Sequence, residues 1–185
     1  SRRDFLESLV SFRQAGDEEG TAYALFGLGG VLRIQGRLAQ ARKAYAEAGR
    51  KLARTQDLFG RAYAKCGLAN VLRQQGKLSQ AFSHYLASHK IYSRLGDAVD
   101  LAYVDWGLGQ IYLRRGELEA AEKRLAAALK SFSRYDEARG VCLCENSLAA
   151  VWHARGRTKE AEALFDRGGA RARRAGLHAH LEIFT

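Results

Sequence analysis

A ten-residue phrase returns four times along this chain at a fixed interval. It reads GLGGVLRIQG from Gly27, GLANVLRQQG from Gly67, GLGQIYLRRG from Gly107 and SLAAVWHARG from Ser147, a spacing of 40 residues that never drifts. A strict period of this length marks stacked supersecondary units, each too small to bury its own apolar face and dependent on its neighbours. It bears on function as well. A repeated phrase builds a surface, whereas a catalytic site needs its parts once.

Each period holds two segments with the apolar spacing of an amphipathic helix. In the second unit the first segment places apolar or small residues at 58, 62, 64, 68, 69, 71 and 72. The second places them at 78, 81, 82, 85, 86, 91, 92 and 95. Gly36, Gly76, Gly116 and Gly156 follow the first segments, where a reversing helix needs a left-handed residue. Asp17, Asp57, Asp97 and Asp136 precede them and are expected to cap the helix starts. The pattern predicts first helices (A) at 18–35, 58–75, 98–115 and 138–155. Second helices (B) are predicted at 38–55, 78–95, 118–135 and 158–175. A helix of B type at 3–15, within 1–15, belongs to a preceding repeat, and 178–185 starts a further helix A. The expected organisation is one array over 1–185, with repeats at 18–55, 58–95, 98–135 and 138–175.

Composition narrows the classes. The chain has no Pro, as a continuous helical array allows. No run approaches the 18 or so apolar residues of a membrane span, and the opening SRRDFLESLV lacks the features of a signal peptide. There is no Met, even at position 1, so the chain is expected to be part of a longer protein. Three Cys give no disulfide framework, which points to a reducing, cytoplasmic setting. A net charge of +10 favours acidic partners: an acidic peptide, a phosphorylated segment, nucleic acid or an anionic surface.

No P-loop, GxSxG, HExxH or paired-carboxylate arrangement is present, so neither an enzyme nor a cofactor is expected. Cys142 and Cys144 fill slots that hold small residues in other units and read as core filler, not as half of a four-ligand metal site. His178 and His180 read as surface residues, and His84 and His89 as solvated residues of a B helix. Two basic clusters stand out, from Arg33 to Arg54 and in RGGARARR at 167–174. Both read as solvated faces, with phosphate tracking as the alternative. Gly168 and Gly169 are expected to fray or displace the last B helix.

The segments GLGGVLRIQGRLAQARKAYAEA and GLANVLRQQGKLSQAFSHYLAS resemble tetratricopeptide (TPR) repeats. The likeness lies in Leu-Gly or Leu-Ala of helix A, in the turn Gly, and in the small Ala41, Ala81, Ala121 and Ala161 of helix B. Each Ala is followed four positions later by Tyr45, Tyr85, Leu125 or Phe165. The longer period is similar to that of Pins/LGN-type scaffolds, kinesin light chains and bacterial TPR regulators. The resemblance implies an all-α, right-handed TPR superhelical solenoid of antiparallel helix pairs, with helices A lining a concave groove that holds a peptide.

On a helical wheel, the face opposite Leu28 collects positions 23, 26, 27, 30, 33 and 34 and their equivalents. It carries Tyr23, Tyr63 and Tyr103, then Phe26, Trp106 and Asn146, then Asn70 and Gln110, and finally Arg33, Arg73, Arg114 and His153. These twelve are the candidate peptide-binding residues. The stripe has no carboxylate, and aromatics and Arg are the residues of interface hot spots. Phe26 and Trp106 are read as ligand contacts, because the core is already supplied from the opposite face. Two readings stay open for the Tyr stripe and for Gly27, Gly67 and Gly107: ligand contact, or close packing between helices. Pins/LGN-type repeats grip peptide backbone with two Asn. Here the first position is Gly27, Gly67, Gly107 or Ser147, and the second keeps only Asn70, with Gln110 a partial substitute.

The expected function is a protein–protein interaction module that holds a peptide segment, acidic in character, in the groove. The alternatives are a ligand- or peptide-sensing segment of a transcription regulator or signalling ATPase, and a nucleic-acid-binding solenoid. No membrane or metal partner is expected.

Overall fold

The structure is a computed structural model that describes residues 2–177. The helix expected at 178–185, with His178 and His180, lies outside the described residues. These residues form nine α-helices and no strand: α1 (Arg2–Gln14), α2 (Glu18–Ile34), α3 (Leu38–Leu52), α4 (Leu58–Gln74), α5 (Leu78–Leu95), α6 (Ala98–Arg114), α7 (Leu118–Arg134), α8 (Ala138–Ala154) and α9 (Thr158–Arg174). They fall into two compact units, 1–96 with α1 to α5 and 97–185 with α6 to α9.

The turns explain why the helices reverse. Gly36, Gly76, Gly116 and Gly156 all sit at φ between 72° and 78°, left-handed backbone that only Gly adopts without strain. In the first of these turns the Gly36 amide donates to Arg33 O and the Arg37 amide to Leu32 O, which satisfies the last carbonyls of α2. At the helix starts, Asp17, Asp57 and Asp97 accept from the amides of Gly20, Gly60 and Asp100. The fourth expected cap is a correction. Asp136 has φ 53°, and Glu137 occupies the N-cap of α8 without accepting a cap hydrogen bond. In YDEARG the acid has moved by one, so Asp136 stands where Gly96 stands in LGDAVD, and Asp tolerates the left-handed position better than most residues.

Within residues 1–96, consecutive helices pack side by side, and helix A of one repeat also touches helix A of the next, α2 against α4. Ala41 and Ala81 are fully buried where A and B helices cross, and Tyr45 and Tyr85 fill the space above them. Within 97–185 the same design pairs Ala121 with Leu125 and Ala161 with the partly buried Phe165, with α6 touching α8. α9 runs unbroken through Gly168 and Gly169, against the expectation of fraying. Both glycines are buried, and the Cys142 thiol donates to Gly168 O at 3.9 Å, so the missing side chains admit α8. Cys142 and Cys144 are buried core residues, and burial raises both thiol pKa values.

Candidate functional site

The helix-A face of residues 1–96 is built on α2 and α4. Phe26, read from the wheel as a ligand contact, is instead 3% exposed and belongs to the core. Its ring meets Tyr23 edge-on at 5.5 Å, Tyr63 edge-on at 5.1 Å and Tyr45 at 6.4 Å. The wheel placed its Cβ correctly, but aromatic neighbours on both sides close over it. The outer rings stay open: Tyr23 and Tyr63 are each 42% exposed and Phe59 is 38% exposed. Phe59, one turn before Tyr63, stacks on it at 6.1 Å. Phe59 was not among the candidates, because it lies outside the repeated phrase and its counterparts Glu19, Val99 and Arg139 share no chemistry.

Tyr23 has a second task. Its hydroxyl donates to Asp57 Oδ2 at 2.7 Å while Asp57 Oδ1 caps α4. Burial and the Asp57 carboxylate push the Tyr23 phenol up to about 12. The arginines are not free donors either. Arg73 is buried and its Nε donates to the Tyr85 hydroxyl at 3.3 Å; that hydroxyl in turn donates to Asn70 Oδ1 at 2.8 Å. One repeat earlier burial raises the Tyr45 pKa, and the Arg33 charge lies close enough to the phenol to work against that larger effect. The third repeat replaces both partners by Leu113 and Leu125. The Arg and the Tyr thus disappear together, as members of one pair. Gly67 receives the Tyr45 ring and Gly27 the Phe5 ring, so packing, not groove depth, accounts for them.

In residues 97–185, Tyr103 donates to Glu137 at 2.9 Å and packs on Phe132. Trp106 is partly buried; its indole N–H reaches Ser147 Oγ at 3.0 Å and Leu143 O at 3.3 Å. Gln110 donates to the same Ser147 hydroxyl at 2.5 Å. Ser147 is therefore the joint that fixes both side chains, and it takes the place held by Gly in the other repeats. Asn146 and His153 line a cleft of about 440 Å³ between α8 and α9, floored by Ala149, Ala161 and Phe165. Arg114 is exposed at the end of α6. Of the twelve candidates, Tyr23, Tyr63, Arg33, Asn70 and Arg73 come together over α2 and α4. Tyr103, Trp106, Gln110, Asn146 and His153 come together over α6 and α8.

The MalT-like TPR region matches residues 17–183 of this sequence. The chain belongs to that family. The fold recurs in solved structures: BtubC (BKLC) from P. vanneervenii, at 18% identity and TM-score 0.73, covers 100% of this chain and 86% of its own. A Rap protein complexed with Competence and Sporulation Factor follows at 17% identity and TM-score 0.81, covering 99% of this chain and 53% of its own. The apo form of RapI matches at 16% identity and TM-score 0.77, over 95% of this chain and 66% of its own. No curated protein is significantly similar in sequence. The MalT-like TPR region is thus an all-α array of antiparallel helix pairs, and it spans about half of the Rap chain it resembles. Among the described residues no helix is long and apolar enough to cross a membrane, and no group of three His, Cys, Asp or Glu is placed to hold a metal.

The basic cluster at 167–174 is largely the solvated face expected of it, with Arg167, Arg173 and Arg174 exposed. From that face Arg167 and Arg171 reach the buried Glu145 carboxylate, at 3.3 Å and 3.1 Å. The expectation for His84 does change, since it is half-buried and lines a cleft.

Proposed function

We propose that this chain is a protein-interaction module that holds a peptide segment of a partner on the helix-A face of residues 1–96. The observation that carries the reading is the open aromatic patch of Tyr23, Phe59 and Tyr63, supported from below by Phe26. Rigid, partly exposed aromatics on a fixed helical platform give large contact area at low entropic cost. A preference for acidic peptides is supported by the net charge of +10 and by the complete absence of Asp and Glu between Asp57 and Asp97. The proposal gives the chain no catalysis of its own.

Titration of matched acidic and basic peptides at low and high salt tests it. Acidic peptides should bind more tightly, with affinity falling as salt rises. Tyr63→Ala should weaken that binding by about 2 kcal/mol, the scale of a hot spot, in a chain that loses some Tm from the uncovered Phe26 but is still folded at the binding temperature. The exposed pair Arg173→Glu, Arg174→Glu should change it little. Equal binding of acidic and basic peptides, or full binding by Tyr63→Ala, contradicts the reading.

A second reading is favoured by the cleft between α8 and α9. It is concave, mostly apolar and edged by Asn146, His153, Glu162 and Asp166, as small-ligand sites are. In that reading the chain is the sensing segment of a larger regulator. The Rap protein complexed with Competence and Sporulation Factor shares its fold.

A further inference from the structure

A second cleft, of about 360 Å³, opens within residues 1–96 between α3, α4 and α5. Its floor is apolar: Tyr45, Ala46, Ala64 and Leu68, with Gly49 facing Ala64. Its walls carry Arg50, Arg61, Lys65 and His84. No carboxylate lines it, and α4 and α5 contain none. Among the described residues, no hydrogen bond or ion pair engages Arg50, Arg61 or Lys65. The one nearby acid on α3, Glu47, is already paired with Arg13 at 2.8 Å.

The third and fourth repeats hold a different arrangement at this position, while the first has the apolar pair Leu25 and Ala44. Lys65 corresponds to Asp105 and Glu145, 40 and 80 residues on, and His84 corresponds to Arg124. Asp105 pairs with Arg124 at 2.8 Å, and Glu145 pairs with Arg167 and Arg171. In those repeats an acid on helix A is neutralised by Arg on helix B. In the second repeat the acid has become Lys65, facing His84, and an apolar position (Leu101, Val141) has become Arg61. Burial and the Lys65 charge together hold His84 below the ordinary imidazole value. Several cations that share one concave site without an internal counter-charge repel one another unless an anion is supplied from outside.

We propose that the cleft between α3, α4 and α5 binds a phosphorylated side chain of a partner protein, with the phosphate among Arg50, Arg61 and Lys65 and its stem on the Tyr45–Leu68 floor. A compact dianion matches several cations gathered at one cleft better than a run of separate carboxylates does. Arg guanidinium and phosphate pair in bidentate fashion. The size and apolar floor of the cleft suit a phosphate carried on an aromatic ring. The site is separate from the Tyr23–Tyr63 patch and does not depend on a peptide binding there.

The test uses the full chain and three probes: a short phosphotyrosine peptide, its unphosphorylated counterpart and inorganic phosphate. The phosphopeptide should bind about tenfold or more tighter than either of the others. The double variant Lys65→Asp, His84→Arg rebuilds the Asp105–Arg124 pair of the next repeat. It should keep or raise Tm and lose about tenfold in phosphopeptide affinity. Arg61→Leu, which restores the residue type found at 101, should lose affinity in the same direction. Tyr63→Ala should bind the phosphopeptide as the parent does, so failure of this site and failure of the helix-A patch are told apart. Equal binding of the unphosphorylated peptide, inorganic phosphate binding as tightly as the phosphopeptide, or undiminished binding by a folded variant would each overturn the proposal.

Discussion

Asp100 occupies the third position of α6, where Gly20, Gly60 and Gly140 stand in the other repeats. Its backbone amide donates to the Asp97 cap, so its own carboxyl is held beside another carboxylate. Burial first, and the Asp97 charge second, push it from 3.8 up to about 6. Between those two values the folded chain keeps a proton that the unfolded chain has lost. Stability therefore falls as pH rises through this window and stays flat above it. Asp100→Asn removes the charge and leaves the cap amide in place. The variant should melt above the parent at pH 7.5, and the difference should vanish at pH 3.5. Equal Tm at both values would show that the Asp100 carboxyl ionises as freely in the fold as out of it. The same small scale explains what the sequence concealed. Asp136 reads as a fourth cap in the sequence, and only its backbone φ reveals that it substitutes for a glycine while Glu137 takes the N-cap position.

At the scale of elements, the helix pairs were legible because their signals are periodic and redundant. Turn glycines and small helix-B alanines recur every 40 residues, capping Asp residues do so in the first three repeats, and all three signals agree on where the chain reverses. The face of a helix was harder to read. A wheel fixes the direction of a Cβ, not what a long neighbour reaches. Phe26 points away from Leu28 and is still enclosed by Tyr23, Tyr45 and Tyr63. Gly67 points toward the groove and still receives the Tyr45 ring from α3. The two readings of that glycine differ in a measurable way. If it opened the groove for a ligand, Gly67→Ala would cost nothing in packing and would aid the helix through the better propensity of Ala. As the seat of Tyr45, it should lose about 1–3 kcal/mol, the usual cost of overpacking, despite the better helix propensity of Ala. Urea denaturation of the unliganded chain decides between them.

At the scale of the whole molecule, the excess of positive charge was plain in the composition, but its distribution was not. Arg73 pairs with Tyr85, and Arg167 and Arg171 pair with Glu145. Arg50, from the basic run at 33–54, and Arg61 and Lys65, which lie outside both basic clusters, share a cleft without a counter-charge. Which cations are already satisfied depends on contacts between helices that the linear order does not display. The family, fold and open aromatic patch together make a peptide-holding surface the central claim. Its most direct test is backbone chemical-shift mapping of the labelled chain titrated with an unphosphorylated acidic peptide at low salt. The account predicts shifts concentrated on the exposed face of α2 and α4, around Tyr23, Gly30, Phe59 and Tyr63, that disappear in Tyr63→Ala. Shifts confined to α3 and α5, or no shifts at all, would contradict it.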